Sequence, residues 1–399
     1  MKAVVLAAGE GTRLWPFTYS QPKVMIPIAN RPILEYVVEA LVRSGVRDIV
    51  LVVGYCKERI MSHFSDGKEF GARIEYAFQR KMVEKAGTGY ALSMARELVD
   101  DDFLVLAGDN IIDATTLTDI VHCKSRNALL VTESPTPSKY GVVQLAGSAV
   151  GNVIEKPEEQ ISNIISTGIY KLTATIFDEI DAAAKAGNHT LTAALQRLLA
   201  KEHVEGVFAR GIWRDVVYPW DITSVNAEAL SGLEQHLAGR IEKGAHIAGP
   251  VRLGEGCVVR AGAYIRGPVN LGENCEVMPG ACIFPSTSIG MNVVIGPHAV
   301  IKESVIMSNS SIGAGAHISD AVIGQGVLIS SNVGIEAGRA KVETEGELRD
   351  LERVGAMVGE ETAIGAGCVL YSGVIVGARC RISPQVRVWR NIPDGTTVM

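Results

Sequence analysis

Hydrophobic positions along this chain follow two different periods. In the first part, short apolar runs of strand length alternate with amphipathic stretches of helical spacing. Lys2 to Leu6 opens the chain as a buried strand, and strand-like runs recur at Asp48–Val53, Arg73–Phe78, Phe103–Ala107 and Asn127–Thr132. Ile33-Leu34, Val37-Val38 and Leu41-Val42 follow Pro32 at helical spacing and stop at Gly45. Ala91–Leu98 and Thr116–Lys124 read as further helices. The alternation predicts an α/β domain with a mostly parallel sheet and ligand loops at the strand C-termini.

The later part obeys a period of six. Ile241, Ile247, Leu253, Val259, Ile265, Leu271, Val277, Ile283, Ile289, Ile295 and Ile301 stand six residues apart without a miss. With roughly half of all residues apolar, such a run would arise by chance about once in several thousand chains. After shortened steps to Ile306 and Ile323, the period resumes at Val358, Ile364, Leu370, Val376, Ile382 and Val388. One inward aliphatic per short strand predicts a parallel β-helix with three faces per coil. Glycine usage changes with the period: residues 1–240 hold 18 of the 42 glycines and residues 241–399 hold 24. The expected domains are therefore 1–238 and 239–399.

A charged insert interrupts the coils between Gly338 and Gly355, with Arg339, Lys341, Glu343, Glu345, Glu347, Arg349, Asp350, Glu352 and Arg353. It is expected to leave the coil as a loop or hairpin, either as a solvated excursion or as an arm towards a neighbouring subunit.

Composition narrows the function classes. A chain of 399 residues fits two or three domains. A net charge of -6, without a cluster of Lys and Arg, argues against a nucleic-acid binder. No apolar run approaches membrane-spanning length, and the segment after Met1-Lys2 is too short for a signal peptide. Cys56, Cys123, Cys257, Cys275, Cys282, Cys368 and Cys380 are scattered without a CxxC pair, as expected of small buried thiols in a reducing cytoplasm.

The chemistry concentrates in Leu6-Ala7-Ala8-Gly9-Glu10-Gly11-Thr12-Arg13-Leu14, closed by Gln21-Pro22-Lys23. Gly9 and Gly11 let the backbone turn tightly and approach a ligand, and successive N–H groups in such a turn make an anion nest. Arg13 and Lys23 add two cations suited to a triphosphate. The loop lacks the Gly-Lys-Ser/Thr of a Walker motif, and Leu14 stands where a dinucleotide fingerprint needs a third small residue.

With these residues, the pattern LAAGEGTRLWP…QPK resembles the signature of the sugar-1-phosphate nucleotidylyltransferases. With the hexapeptide repeat behind it, the chain resembles their archaeal-type two-domain members. These are similar to bifunctional N-acetylglucosamine-1-phosphate uridylyltransferases and to glucose-1-phosphate thymidylyltransferases. The resemblance implies a Rossmann-like nucleotidyltransferase domain followed by a left-handed β-helix. It also implies attack by a sugar-1-phosphate oxygen on the α-phosphorus of a nucleoside triphosphate, with release of pyrophosphate. By resemblance, Leu6, Ala8, Gly9, Gly11, Thr12 and Arg13 surround the nucleotide, and Arg13 and Lys23 act on its phosphates. Asp109, at the end of a strand, and Asp215, within Trp213-Arg214-Asp215, would hold Mg²⁺, a hard cation suited to oxygen ligands. Gln79, Gly87 and Thr88 would read the base, and the Gly-Thr-Gly form points to UTP or dTTP rather than GTP. Gly141, Glu155, Lys156, Thr167 and Gly168 would bind the sugar phosphate. Asp221 is expected to cap the helix leading to the repeat.

Bifunctional relatives acetylate an amino sugar with a histidine base in a Gly-His-x-x-Tyr segment of the β-helix. Here that stretch reads Gly313-Ala314-Gly315-Ala316-His317, with alanine at the base position. His317 or His298 could be recruited, yet the expected role of the second domain is assembly, giving a homotrimer or a multiple of one. The alternatives are acetyl transfer to glucosamine 1-phosphate, a GTP-using mannose-1-phosphate guanylyltransferase, or a non-catalytic regulatory subunit of one.

Overall fold

The computed structural model describes residues 1–79, 87–99, 102–159, 161–344 and 347–399. By packing, they divide into two compact units: Met1–Glu10 with Ile33–Asp215, and Gly11–Pro32 with Val216–Met399. The expected division at 238/239 follows chain order, whereas packing assigns Gly11–Pro32 and the helix Asp221–Leu230 to the β-helical unit.

The first unit is built on a nine-stranded sheet. Its strands are β1 (Lys2–Ala7), β2 (Asp48–Val53), β3 (Arg73–Phe78), β4 (Asp102–Ala107), β6 (Ala128–Glu133), β7 (Gly141–Ala146), β8 (Ala149–Glu155), β9 (Ile164–Thr173) and β10 (Glu205–Phe208). A separate pair joins β5 (Asn110–Ile112) to β11 (Trp213–Asp215). The sheet order is β3-β2-β1-β4-β9-β6-β10-β8-β7. β1 to β4 run parallel; β9 and β8 run antiparallel to their neighbours. Near-continuous burial of Val4, Val50, Val52, Phe103 and Val105 gives these strands their apolar runs, as expected for strands covered on both faces. The sequence reading misses β5, β8, β9, β10 and β11: β8 alternates buried and open positions, β10 is short and half-exposed, and Trp213–Asp215, expected on a loop, is a three-residue strand that forms only by pairing with β5.

The helices are α1 (Ile33–Arg43), α2 (Lys57–Phe64), α3 (Thr88–Ser93), α4 (Ala114–His122), α5 (Ile176–Lys185) and α6 (Leu191–Leu199), with α7 (Asp221–Leu230) in the second unit. The expected helix 91–98 is instead α3 followed by a short 3₁₀ turn at Arg96–Leu98. α4 begins earlier than expected because Asp113 caps it, accepting from Thr116 N at 2.9 Å.

The second unit is the left-handed parallel β-helix. Its three sheets stack short strands in register, one column per sheet. One column runs Ile241, Val259, Val277, Ile295, Ile312, Ile329, Ile364 and Ile382, and another runs Ile247, Ile265, Ile283, Ile301, Ile318, Ile335, Leu370 and Val388. The third holds Leu237, Leu253, Leu271, Ile289, Ile306, Ile323, Val358 and Val376. The six-residue spacing is thus the distance between faces. The short steps to Ile306 and Ile323 fall at one corner, where Glu303 and Asp320 each adopt φ 50.

The charged insert leaves from that same corner as an antiparallel hairpin, Gly338–Thr344 against Glu347–Val354; Glu345 lies outside the described residues. It folds back on its own chain. Val342 and Val354 are buried, Arg353 pairs with Asp320 at 2.9 Å and with Glu303, and the Arg349 guanidinium lies 4.3 Å from the Tyr218 ring centre.

Candidate active site

In the first unit, the residues expected at the site gather at the C-terminal edge of the parallel strands. Leu6 pairs with Val52 and with Ala107, and its carbonyl accepts from Gly108 N at 2.9 Å. This brings the turn Gly108-Asp109 beside the end of β1. The Ala8 carbonyl accepts from Tyr55 N at 3.2 Å, and a Cβ on Gly54 would stand 2.8 Å from that oxygen. Gly54 therefore allows the start of the loop at Gly9 to lie flat against β2, a role the sequence reading did not assign. Gly9 has open space where a Cβ would project.

Asp109 and Asp215 are distant in sequence, and the β5–β11 pair brings them to one place. Asp215 stands opposite Asn110, the residue after Asp109. Asn110 is buried, and its Nδ2 is 3.5 Å from the Thr167 carbonyl. The Trp213 indole donates to the same carbonyl at 3.0 Å. Both strands of the pair are thereby tied to the Thr167 carbonyl. Thr167 is buried and bonds the Leu130 carbonyl at 2.8 Å, while Gly168 takes φ 75, which favours glycine. Asn110 and the Trp213 indole are the residues sequence reasoning missed. The Trp-Arg-Asp triplet signalled the second only by adjacency.

Two carboxylates at one sheet edge suit a hard divalent cation that takes its remaining oxygens from phosphates and water. Among the described residues no group of three or more His, Cys, Asp and Glu side chains could hold a metal ion. Two carboxylates leave most of such an ion's coordination open, so an ion shared with substrate fits the donor set.

The expected sugar side shares this edge in part. Glu155 ends β8 opposite Gly141, and a Cβ on Gly141 would lie 3.4 Å from Glu155 Oε2. Thr192 Oγ1 donates to that oxygen at 3.2 Å. Lys156 adopts φ 44 and its N–H bonds the Tyr140 carbonyl at 3.0 Å. Both side chains are exposed. The Tyr140 and Trp213 rings meet edge to face at 5.6 Å, joining the Gly141 strand to β11. Burial pushes the neighbouring Tyr170 phenol up, and its hydroxyl lies 3.3 Å from Ser166 Oγ.

The expected base-reading residues divide. Gln79 follows β3, its N–H bonded to the Val53 carbonyl at 2.9 Å. Gly87 and Gly89 lie against the His189 backbone, where a Cβ on either would collide. Thr88 Oγ1 accepts from Leu191 N at 2.9 Å and so supports the start of α6, leaving its own proton to donate. Residues 80–86, between Gln79 and Gly87, lie outside the described residues.

In the second unit, Gly11 (φ 70) starts a 3₁₀ turn over Thr12–Leu14, with Leu14 N bonded to the Gly11 carbonyl at 2.9 Å. Thr12 and Arg13 are exposed on this turn, and Lys23 opens a second one, Lys23–Met25. A Cβ on Gly11 would stand 2.5 Å from Lys23 Cβ, so Gly11 lets the two turns touch. Asp221 does not cap α7. Its Oδ2 accepts from Val217 N at 3.0 Å and Tyr218 N at 2.7 Å, which fixes the loop after Asp215.

A family model described as Nucleotidyl transferase matches residues 2–232, more than half of the chain. The chain belongs to that family. A second model, described as GMPPB C-terminal domain, matches residues 265–347 of this nucleotidyl transferase. The chain is 40% identical over 97% of its length to the Bifunctional protein GlmU of Methanococcus maripaludis (strain C7), covering 95% of that protein. It is 34% identical to a bifunctional sugar-1-phosphate nucleotidylyltransferase/acetyltransferase of Sulfurisphaera tokodaii, with 99% of each chain covered. A crystal structure of a glucose-1-phosphate thymidylyltransferase from Bacillus anthracis in complex with a sucrose matches 57% of this chain and 95% of its own. Its identity is 26% and its TM-score 0.53.

Proposed function

We propose that this enzyme transfers a nucleotidyl group from UTP or dTTP to glucose 1-phosphate or N-acetylglucosamine 1-phosphate, releasing pyrophosphate. The observation that carries the reading is the convergence of β5 and β11, which sets Asp215 opposite the residue after Asp109 and ties both strands to the Thr167 carbonyl. Such a reaction needs in-line placement and neutralised charge more than a proton-transfer group. Backbone N–H groups at Gly9 and Gly11 line the triphosphate, and Arg13 and Lys23 take up charge as pyrophosphate leaves. Thr12 closes that loop, Leu6 and Ala8 flank it, and Gln79 with Gly87 and Thr88 reads the pyrimidine. Gly141, Glu155, Thr167 and Gly168 hold the sugar, and Lys156 holds its phosphate. Asp109 and Asp215 would hold Mg²⁺, which when bound supplies charge neutralisation at the α-phosphate.

The test is a matrix of four nucleoside triphosphates against hexose 1-phosphates, read by pyrophosphate release. UTP or dTTP should turn over; silence with every sugar would sink the proposal. Asp109→Asn and Asp215→Asn should each lower turnover by about a hundredfold or more while leaving the fold intact, since each removes half of the charged donor set.

Acetyl transfer by the β-helix is the second reading, and the names of the two relatives above favour it. Against it, Ala314 offers no base and Ala316 is buried in the coil. We read the β-helix as an assembly domain, forming a trimer. Support comes from the exposed apolar Val294 and Leu328 on one sheet face. A cytoplasmic setting accords with seven free cysteines.

A further inference from the structure

The segment that carries Arg13 and Lys23 is anchored on the last coils of the β-helix. Trp15 follows the Arg13 turn directly, and its indole N–H donates to both carboxylate oxygens of Asp394, at 3.1 and 3.0 Å. Ser20 Oγ donates to Glu360 at 2.6 Å, and Glu360 is buried. Between these two, the Arg379 guanidinium lies 5.1 Å from the Tyr19 ring centre. The three receiving residues belong to successive coils along one edge: Arg379 N bonds the Glu360 carbonyl at 2.8 Å, and Asp394 Oδ1 accepts from Ala378 N at 2.6 Å. A stack of rigid coils thus meets a loop segment whose only regular structure is two 3₁₀ turns and one two-residue strand pair.

We propose that Asp394 and Glu360 are positioning residues for nucleotidyl transfer, setting the place of Arg13 and Lys23 through Trp15 and Ser20. The coils are then the support on which the Arg13 and Lys23 turns are held. The physical reason is entropic. Arg13 and Lys23 lie on short turns, and a cation on a free loop must be ordered each time a triphosphate binds. Anchoring both sides of the turn on a rigid stack removes that cost beforehand, and misplacement by as little as 1 Å is felt in the rate. The inference rests on the reading that Arg13 and Lys23 engage the triphosphate.

Trp15→Phe and Ser20→Ala test it in the full-length protein, because they remove donors from the segment and leave the coils intact. Asp394→Ala also loses the Ala378 bond, so Asp394→Asn, which keeps an accepting oxygen, serves as its rescue. The expected result for Trp15→Phe combined with Ser20→Ala is about a tenfold weaker Kd for the nucleoside triphosphate by calorimetry and a matching rise in its KM. The KM for the sugar phosphate and the oligomer size should not change, while the melting temperature falls because buried Glu360 loses its donor. A merely structural role would move both KM values together. Asp394→Asn should recover most of what Asp394→Ala loses. Wild-type nucleotide binding in the double variant, with Arg13→Ala inactive, overturns the positioning role alone. Full activity in Arg13→Ala overturns the site reading and this inference with it.

Discussion

Gly9 and Gly11 look alike in the sequence, yet the structure gives them different tasks, and one pair of substitutions separates them. Gly11 has φ 70, and a Cβ there would stand 2.5 Å from Lys23 Cβ and 3.4 Å from the Thr18 methyl. An alanine in the left-handed region costs about 1–2 kcal/mol. Lys23 Cβ is bound to the backbone, so it cannot swing aside as a side-chain end would, and overpacking adds roughly 1–3 kcal/mol. Gly11→Ala should therefore destabilise by about 2–5 kcal/mol, which for a unit of roughly 200 residues lowers the melting temperature by some 5–15 °C. Gly9 has no positive φ and nothing within 4 Å of its would-be Cβ. Gly9→Ala should leave stability within about 0.5 kcal/mol of wild type. Its effect should appear only with ligand: if triphosphate oxygens approach the Gly9 N–H closely, the added methyl should raise the nucleotide KM about tenfold or more. Calorimetric melting without ligand, followed by initial rates of pyrophosphate release, measures both. A Gly11→Ala protein that melts like wild type would refute the steric argument, and an unchanged KM in Gly9→Ala would refute the close approach.

Two further outcomes follow from the β-helix. Ile295 is fully buried within its column, so Ile295→Ala should cost about 2–5 kcal/mol in denaturant unfolding. Ile241 begins the same column and is 38% exposed, so Ile241→Ala should cost less than about 1 kcal/mol; equal costs would contradict the ladder. At the hairpin root, burial and then the Asp320 charge push the Glu303 carboxyl above its ordinary 4.5, against the pull of Arg353. A raised acid favours the protonated folded state, so its contribution is present below 4.5 and is lost as pH rises through the raised value. The difference in melting temperature between wild type and Glu303→Gln should vary with pH across that window and level off above it; a flat difference would contradict the shift.

The candidate site was partly legible because the residues proposed for it lie in short local motifs. A glycine turn after a buried strand, an aspartate at a strand end and a Glu-Lys pair are patterns of neighbours. Asn110 left no such mark. A buried asparagine looks like any surface asparagine until β11 arrives from a hundred residues away to pair with β5. Asp221 shows the opposite error, and Thr88 carries a structural bond that its expected role did not suggest. Asp221 is a residue type suited to capping, yet it hydrogen-bonds a different backbone than the local pattern suggests.

By itself, the sequence determined the periods. Alternating apolar runs specified a mostly parallel sheet, and the step of six specified the columns of the β-helix down to the shortened corner. Periodicity expresses which side of an element is buried, and that is a property of neighbours along the chain. Tertiary structure alone decided where Gly11–Pro32 belongs. Its anchors to the coils rest on Trp15, Ser20 and Asn30, single polar groups matched to partners more than two hundred residues away. Hydrogen bonds of that kind depend on distance and angle in space and carry no period, so only the folded chain reveals that the segment carrying Arg13 and Lys23 is packed with the β-helix.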